Sequence, residues 1–157
     1  MSLNPFGCNV IICCVFLFVL GSCSTYSDQE KELFDEQIQE YIDKENVEME
    51  KLENGMYYTI LSEGSGDRFI QLNDQVTFSY TGSFLNGEVF QVIPEENPLN
   101  FRVKELIIGW QDALSLIKEN GEIKIILPPY LTYGDKNTEL IPPNSVVVYE
   151  LKVLSVR

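Results

Sequence analysis

The sequence predicts an α+β fold, an antiparallel twisted β-sheet wrapped around one short α-helix and preceded by an N-terminal helical arm. Most of residues 56–156 alternates with period two and is rich in aromatic and β-branched residues, the pattern of half-buried strands. A single stretch inside that region, 106–117, has helical spacing instead, and an acidic amphipathic stretch at 28–45 stands ahead of the first strand. Strands need a covering element and the helix needs a face to bury against, so a sheet closed on one helix is the economical architecture. A chain of 157 residues, 45% hydrophobic, supports one packed core with an accessory segment.

At the N-terminus, Val10 to Leu20 is an uninterrupted apolar run, shorter than the ~20 residues that span a bilayer and in the range of a signal-peptide core. Leu20-Gly21-Ser22-Cys23 follows it and resembles the lipobox of bacterial lipoproteins, in which the cysteine is lipidated and becomes the new N-terminus. Residues 1–22 are therefore expected to be a leader and Cys23 the lipidation site; an ordinary signal peptide or buried helix with an incidental cysteine is the alternative. The n-region departs from the usual pattern, since residues 1–9 contain no Lys or Arg. All four cysteines (Cys8, Cys13, Cys14 and Cys23) lie in this segment, so cleavage before Cys23 leaves no free thiol and no disulfide, which suits an oxidising envelope compartment.

Residues 23–54 read as a tether and an arm. Ser27 with Glu30 three residues later fits a capping box, and Leu33, Phe34, Ile38, Tyr41 and Ile42 recur at helical spacing, which predicts a helix from about Asp28 to Glu45. Its acidic residues form a solvated face and its apolar stripe is expected to dock on the domain, with dimerisation as the alternative.

From residue 55 to 157 the elements belong to the main domain. Met56 to Leu61 and Gln75 to Gly82 are strands, separated by the turn at Glu63-Gly64-Ser65-Gly66. Phe84-Leu85-Asn86-Gly87-Glu88-Val89-Phe90 places Asn-Gly between apolar flanks, a hairpin signal. Leu106 to Ile117 reads as the helix, with Trp110 on its inner face and Gly121 ending it; Glu122 to Leu127 and Val146 to Val156 are the closing strands. Between them, Pro128-Pro129 and Pro142-Pro143 fence a short segment. Each pair removes two backbone donors and fixes φ near −65°, so the segment must leave the sheet as a restricted loop forming one wall of a cleft.

Composition narrows function. A formal net charge of −13 repels nucleic-acid phosphates and anionic lipid surfaces. The chain has no histidine, which removes the commonest general base and most zinc sites. The spacing of Glu105, Asp112 and Glu122 gives no metal site.

The run Val76-Thr77-Phe78-Ser79-Tyr80-Thr81-Gly82, then Asn86-Gly87-Glu88-Val89-Phe90, Leu106-Ile107-Ile108-Gly109-Trp110, Pro128-Pro129-Tyr130-Leu131-Thr132-Tyr133-Gly134 and Ile141-Pro142-Pro143-Asn144 resembles the FKBP-type peptidyl-prolyl cis/trans isomerases over about residues 55–157. The resemblance implies an FKBP-like fold. It also implies that Trp110 floors a cleft, that Tyr133 offers its hydroxyl and Ile107 its backbone N–H to ligand carbonyls, and that Tyr80, Phe90, Leu106, Ile141 and Tyr149 form the walls. Phe78 reads as plain core. The chain departs from the family pattern at Gln91, where an Asp is usual, and at Leu99 and Tyr149, where phenylalanines are usual. The stretch Phe101 to Glu105 is about two residues short.

Isomerisation of an X-Pro bond moves no proton and makes no covalent bond, so a chain without histidine, cofactor or metal is suited to it. The expectation is a lipid-anchored isomerase, weakened by those departures, facing the periplasm or cell surface of a bacterial envelope and acting on unfolded or slowly folding envelope proteins. The alternative is a non-catalytic, chaperone-like module that holds extended proline-containing segments.

Overall fold

The computed structural model describes residues 26–157. The apolar run, the lipobox and the cysteines, Cys23 included, lie outside the described residues. The chain then forms α1 (Asp28–Glu45), β1 (Glu50–Lys51), β2 (Tyr57–Ser62), β3 (Gln75–Phe84), β4 (Val89–Ile93), β5 (Leu99–Arg102), α2 (Ile108–Leu114), β6 (Glu122–Leu127) and β7 (Val147–Val156), with single 3₁₀ turns at Val103–Glu105 and Pro129–Leu131.

All seven strands join one antiparallel sheet in the order β1-β2-β6-β7-β3-β4, and β5 pairs the first half of β3 while β4 pairs its second half. The long strands β3 and β7 run side by side from Val76↔Val156 to Phe84↔Val147 and form the spine. Strand alternation sorts side chains to two faces. Ile123, Ile125 and Leu127 of β6 and Val147, Tyr149, Leu151 and Val153 of β7 enter the main core with Ala113, Leu114 and Ile117, whereas Ile126 and Val148 face the arm.

The arm begins and ends where local chemistry dictates. The Ser27 hydroxyl accepts from the Glu30 N–H, the Glu30 carboxylate accepts from the Ser27 N–H at 2.8 Å, and Asn46 terminates the helix in the left-handed region. Ile38, 1% exposed, seats the arm on Tyr57, Ile126, Val146 and Val148, flanked by Phe34, Tyr41 and Ile42. A polar clamp adds to this contact: the Tyr57 hydroxyl donates to Asp35 at 2.7 Å and accepts from Gln39 at 2.6 Å, and Lys51 pairs with Asp35. The sheet therefore lies between the two helices.

The second helix is shorter than the spacing predicts. It spans Ile108–Leu114 rather than 106–117, because Leu106 closes a 3₁₀ turn onto Val103 and Ile107 is extended at the N-cap (φ −61°, ψ 151°). At the other end Leu116 and Ile117 bond back three residues, to Ala113 and Leu114, so the chain tightens and leaves the helix well before Gly121. The apolar period persists across the break because Leu106 and Ile117 still pack on the core from the flanking turns. Two strands carry too few residues to announce themselves: β1, which starts the sheet ahead of residue 55, and β5.

Candidate functional site

Trp110 enters the core from the first turn of α2, where Gly109 lets the helix lie against the sheet. A Cβ at Gly109 would stand 2.5 and 2.7 Å from the Leu127 methyls. Three rings stand nearly perpendicular to the indole: Tyr80 at 4.8 Å, Tyr149 at 5.0 Å and Phe78 at 5.3 Å between centroids. Each is an edge-to-face pair of the kind worth about 0.5–1.5 kcal/mol beyond its burial. The indole is 6% exposed, and among the described residues its Nε1–H is the one buried side-chain donor without a hydrogen-bond acceptor. What surrounds the indole is accordingly aromatic, and little of it meets solvent.

Phe90 of β4 extends the cluster, 5.8 Å from Tyr149 and 5.0 Å from Phe84. Gly82 makes room for it: a Cβ there would lie 2.6 Å from the Phe90 ring and 2.9 Å from Tyr149. Sequence reasoning missed Gly82 as part of the site, although a glycine inside a strand is itself a sign that something approaches closely. Leu99, Leu106, Ile107 and Ile141 all pack on the same core as Trp110, Ile141 buried and the others half-buried. Phe78, 1% exposed, belongs to the core.

Polar groups meet the aromatic cluster through its phenols. The Tyr80 hydroxyl donates to Gln91 Oε1 at 2.5 Å. Burial pushes the Tyr80 phenol up to about 12, and the neighbouring Tyr133 adds to the rise. Tyr149 is raised further, first by burial, then by Tyr133 and Tyr80, and by a hydrogen bond to Tyr133. The Tyr80 and Tyr149 phenols thus stay protonated at neutral pH and able to donate. Among the described residues the extended Ile107 N–H meets no acceptor, while its carbonyl accepts from Trp110 and Gln111.

Tyr133, 37% exposed, follows the Pro129–Leu131 turn on the proline-fenced segment, and Gly134 beyond it turns at φ +66°. A cavity of about 370 Å³ opens on the arm side of this segment, bordered by Tyr26, Lys31, Tyr130, Tyr133 and Lys136. Sequence reasoning gave Tyr26 no role; only the fold brings it there. Among the described residues no group of acidic or sulfur ligands is placed to hold a metal ion, and no helix is long and apolar enough to cross a membrane.

Residues 66–154 match the family described as FKBP-type peptidyl-prolyl cis-trans isomerase. The FKBP-type isomerase FkpA of Buchnera aphidicola subsp. Schizaphis graminum is 34% identical over 108 residues, 68% of this chain and 43% of that protein. The peptidyl-prolyl cis-trans isomerase Mip of Coxiella burnetii is 36% identical over 108 residues, 68% of this chain and 46% of the relative. The crystal structure of FkpA from Escherichia coli superposes with a TM-score of 0.71 at 30% identity, covering 82% of this chain and 62% of that one. The chain spans less than half the length of these two curated relatives.

Proposed function

The chain belongs to the FKBP-type peptidyl-prolyl cis-trans isomerase family, and from that premise we propose that it isomerises X-Pro bonds in proteins that are unfolded or folding slowly. The observation that carries this reading is the Trp110 indole, framed edge-on by Tyr80 and Tyr149, with the Tyr80 hydroxyl bonded to Gln91. A prolyl ring seats on Trp110, between Tyr80, Phe90, Leu99, Leu106, Ile141 and Tyr149. The Tyr133 hydroxyl and the Ile107 N–H donate to carbonyls on either side of it. Gln91 holds Tyr80.

The barrier is ~20 kcal/mol, the loss of C–N resonance on twisting the amide. Water stabilises the planar, charge-separated amide by hydrogen bonding to its oxygen. An aromatic surface that excludes that water favours the twisted state over the planar one, while the donors orient the bound segment. The residues need supply no acid, base or nucleophile.

A second reading, a non-catalytic module that holds proline-containing segments, is favoured by two features: the neutral Gln91 at the Tyr80 hydroxyl and the phenol of Tyr149 in the apolar wall. A protease-free isomerisation assay on an X-Pro peptide separates the two. Catalysis by the wild type that Trp110→Leu abolishes supports the enzyme; no catalysis in the wild type and none in Gln91→Asp overturns it in favour of the holding module.

For the rest of the chain, the reading is a leader at 1–22, a tether and arm at 23–54 and the isomerase domain at 55–157, anchored through lipid on Cys23 in a bacterial envelope. A domain of this acidity is repelled by anionic headgroups, so acyl chains, at ~0.8 kcal/mol per buried methylene, supply the attachment. Radiolabelled fatty acid entering the wild type but not Cys23→Ala is the expected result; equal labelling of both overturns the anchor.

A further inference from the structure

The described chain opens on a residue that is not solvent-facing. Tyr26 is 5% exposed, two residues ahead of the arm helix. Its ring meets Phe34 of the arm edge-on at 5.5 Å and Tyr130 at 6.1 Å, and its hydroxyl donates to Asn144 Oδ1 at 2.6 Å. That bond crosses 118 positions of sequence.

Asn144 is the residue that closes the flap. Its backbone N–H donates to the Gly134 carbonyl at 2.9 Å, drawing together the two ends of the segment 134–144 immediately after Tyr133. Asn144 does this in the left-handed region, φ +59°, and Gly134 beside it at φ +66°. Asparagine enters that region readily in a turn, so what the Tyr26 hydroxyl adds is a fixed partner for the Asn144 side chain. Tyr26 and Tyr133 also border the same cavity, so the two tyrosines flank one piece of loop.

Docking of the arm does not require this bond. Ile38, with Phe34, Tyr41 and Ile42, seats the helix on Tyr57, Ile126 and Val148, at the opposite face of the sheet from α2. Tyr26 reaches past that contact to the loop that follows Tyr133, whose phenol bonds Tyr149. We infer that Tyr26 is a positioning residue: it holds Asn144, and through the Asn144–Gly134 bond sets the flap that presents Tyr133, so that the arm is part of the isomerase site and not only a spacer. The catalytic half of this statement rests on the isomerase reading above; the structural half does not.

The test uses the full chain and two variants that spare the fold. Tyr26→Phe deletes only the hydroxyl. Asn144→Gly deletes the acceptor while keeping a residue suited to positive φ. Two quantities are read: hydrogen exchange of the residue-144 amide, with the Val153 amide, bonded to Gly121, as an internal reference, and kcat/KM on an X-Pro peptide. A part-buried hydrogen bond of ordinary strength corresponds to about a five-fold effect. Each variant is expected to raise exchange at 144 about five-fold and lower kcat/KM about five-fold, with exchange at Val153 unchanged and the double variant no worse than either single one. Unchanged exchange at 144 in Tyr26→Phe overturns the inference, as does an additive double variant. If the wild type itself shows no isomerisation, the isomerase reading fails, and exchange at 144 alone then decides whether Tyr26 holds the flap.

Discussion

The Tyr80 hydroxyl donates to Gln91 Oε1 at 2.5 Å across the β3–β4 pair, where Gln91 stands opposite Gly82, so the two side chains are diagonal neighbours on one face. A neutral amide here does the aligning that a carboxylate can do, but brings no charge and does not titrate. Gln91→Glu, which keeps the length of the side chain, makes the bond charge-assisted, roughly twice as strong. We expect kcat/KM to rise about five-fold at neutral pH and the gain to vanish as the new carboxyl protonates in acid, with the wild type lacking that acid limb. Superimposable pH profiles for the two proteins would refute this.

Trp110 is the group that the other rings surround. Trp110→Leu removes three edge-to-face pairs and the floor of the hollow. Isomerase activity is expected to fall at least about ten-fold, which is about 1.4 kcal/mol of transition-state stabilisation. The check is kcat/KM measured at a temperature where circular dichroism shows the variant folded.

Gly109 sets how closely α2 approaches the sheet. Gly109→Ala drives a Cβ to 2.5 Å from a Leu127 methyl, and the overpacking is expected to destabilise by about 1–3 kcal/mol. Shortening Leu127 should relieve the clash, so Gly109→Ala/Leu127→Ala should cost less than the sum of the single variants in urea unfolding. Strict additivity would place the cost of Gly109→Ala elsewhere.

The arm is held by one fully buried side chain. Ile38→Ala is expected to cost about 2–5 kcal/mol, through lost burial and the cavity left behind. Leu33→Ala, at a position 51% exposed on the same helix, should stay within about 0.5 kcal/mol. Denaturant midpoints distinguish them, and equal shifts would mean that the arm does not dock through Ile38.

Acid should loosen the start of β3. Arg68 holds Asp74 through two bonds, at 2.6 and 2.9 Å, and the Gln71 N–H adds a third at 2.9 Å. The guanidinium is the main cause that keeps this carboxyl below its ordinary range, against burial, which opposes it. A carboxyl lowered on folding stabilises the protein fully above its unfolded value, about 3.9, and the contribution is lost as pH falls through the folded value. Wild type should therefore exceed Asp74→Asn in stability at neutral pH, with the gap closing below about pH 4. A gap independent of pH would rule out this linkage.

Much of the fold was legible because it is governed locally. Ser27 and Glu30 cap a helix with their own backbone, Asn86-Gly87 turns a hairpin with Gly87 at φ +85°, and β6 spans the predicted Glu122–Leu127. The aromatic set around Trp110 was legible for a different reason, its likeness to a family pattern. Gly82 left a weaker trace, a glycine within a strand, whose meaning depends on Phe90 and Tyr149 being beside it.

By itself, then, the sequence determined the order and type of nearly all elements, since capping, turn chemistry and alternation act within a few residues. Tertiary structure alone decided where α2 stops, which short segments join as β1 and β5, how little of Trp110 meets solvent, and that Tyr26 reaches Asn144. Each of these depends on groups far apart along the chain arriving at one place, and no local dihedral preference encodes that distance.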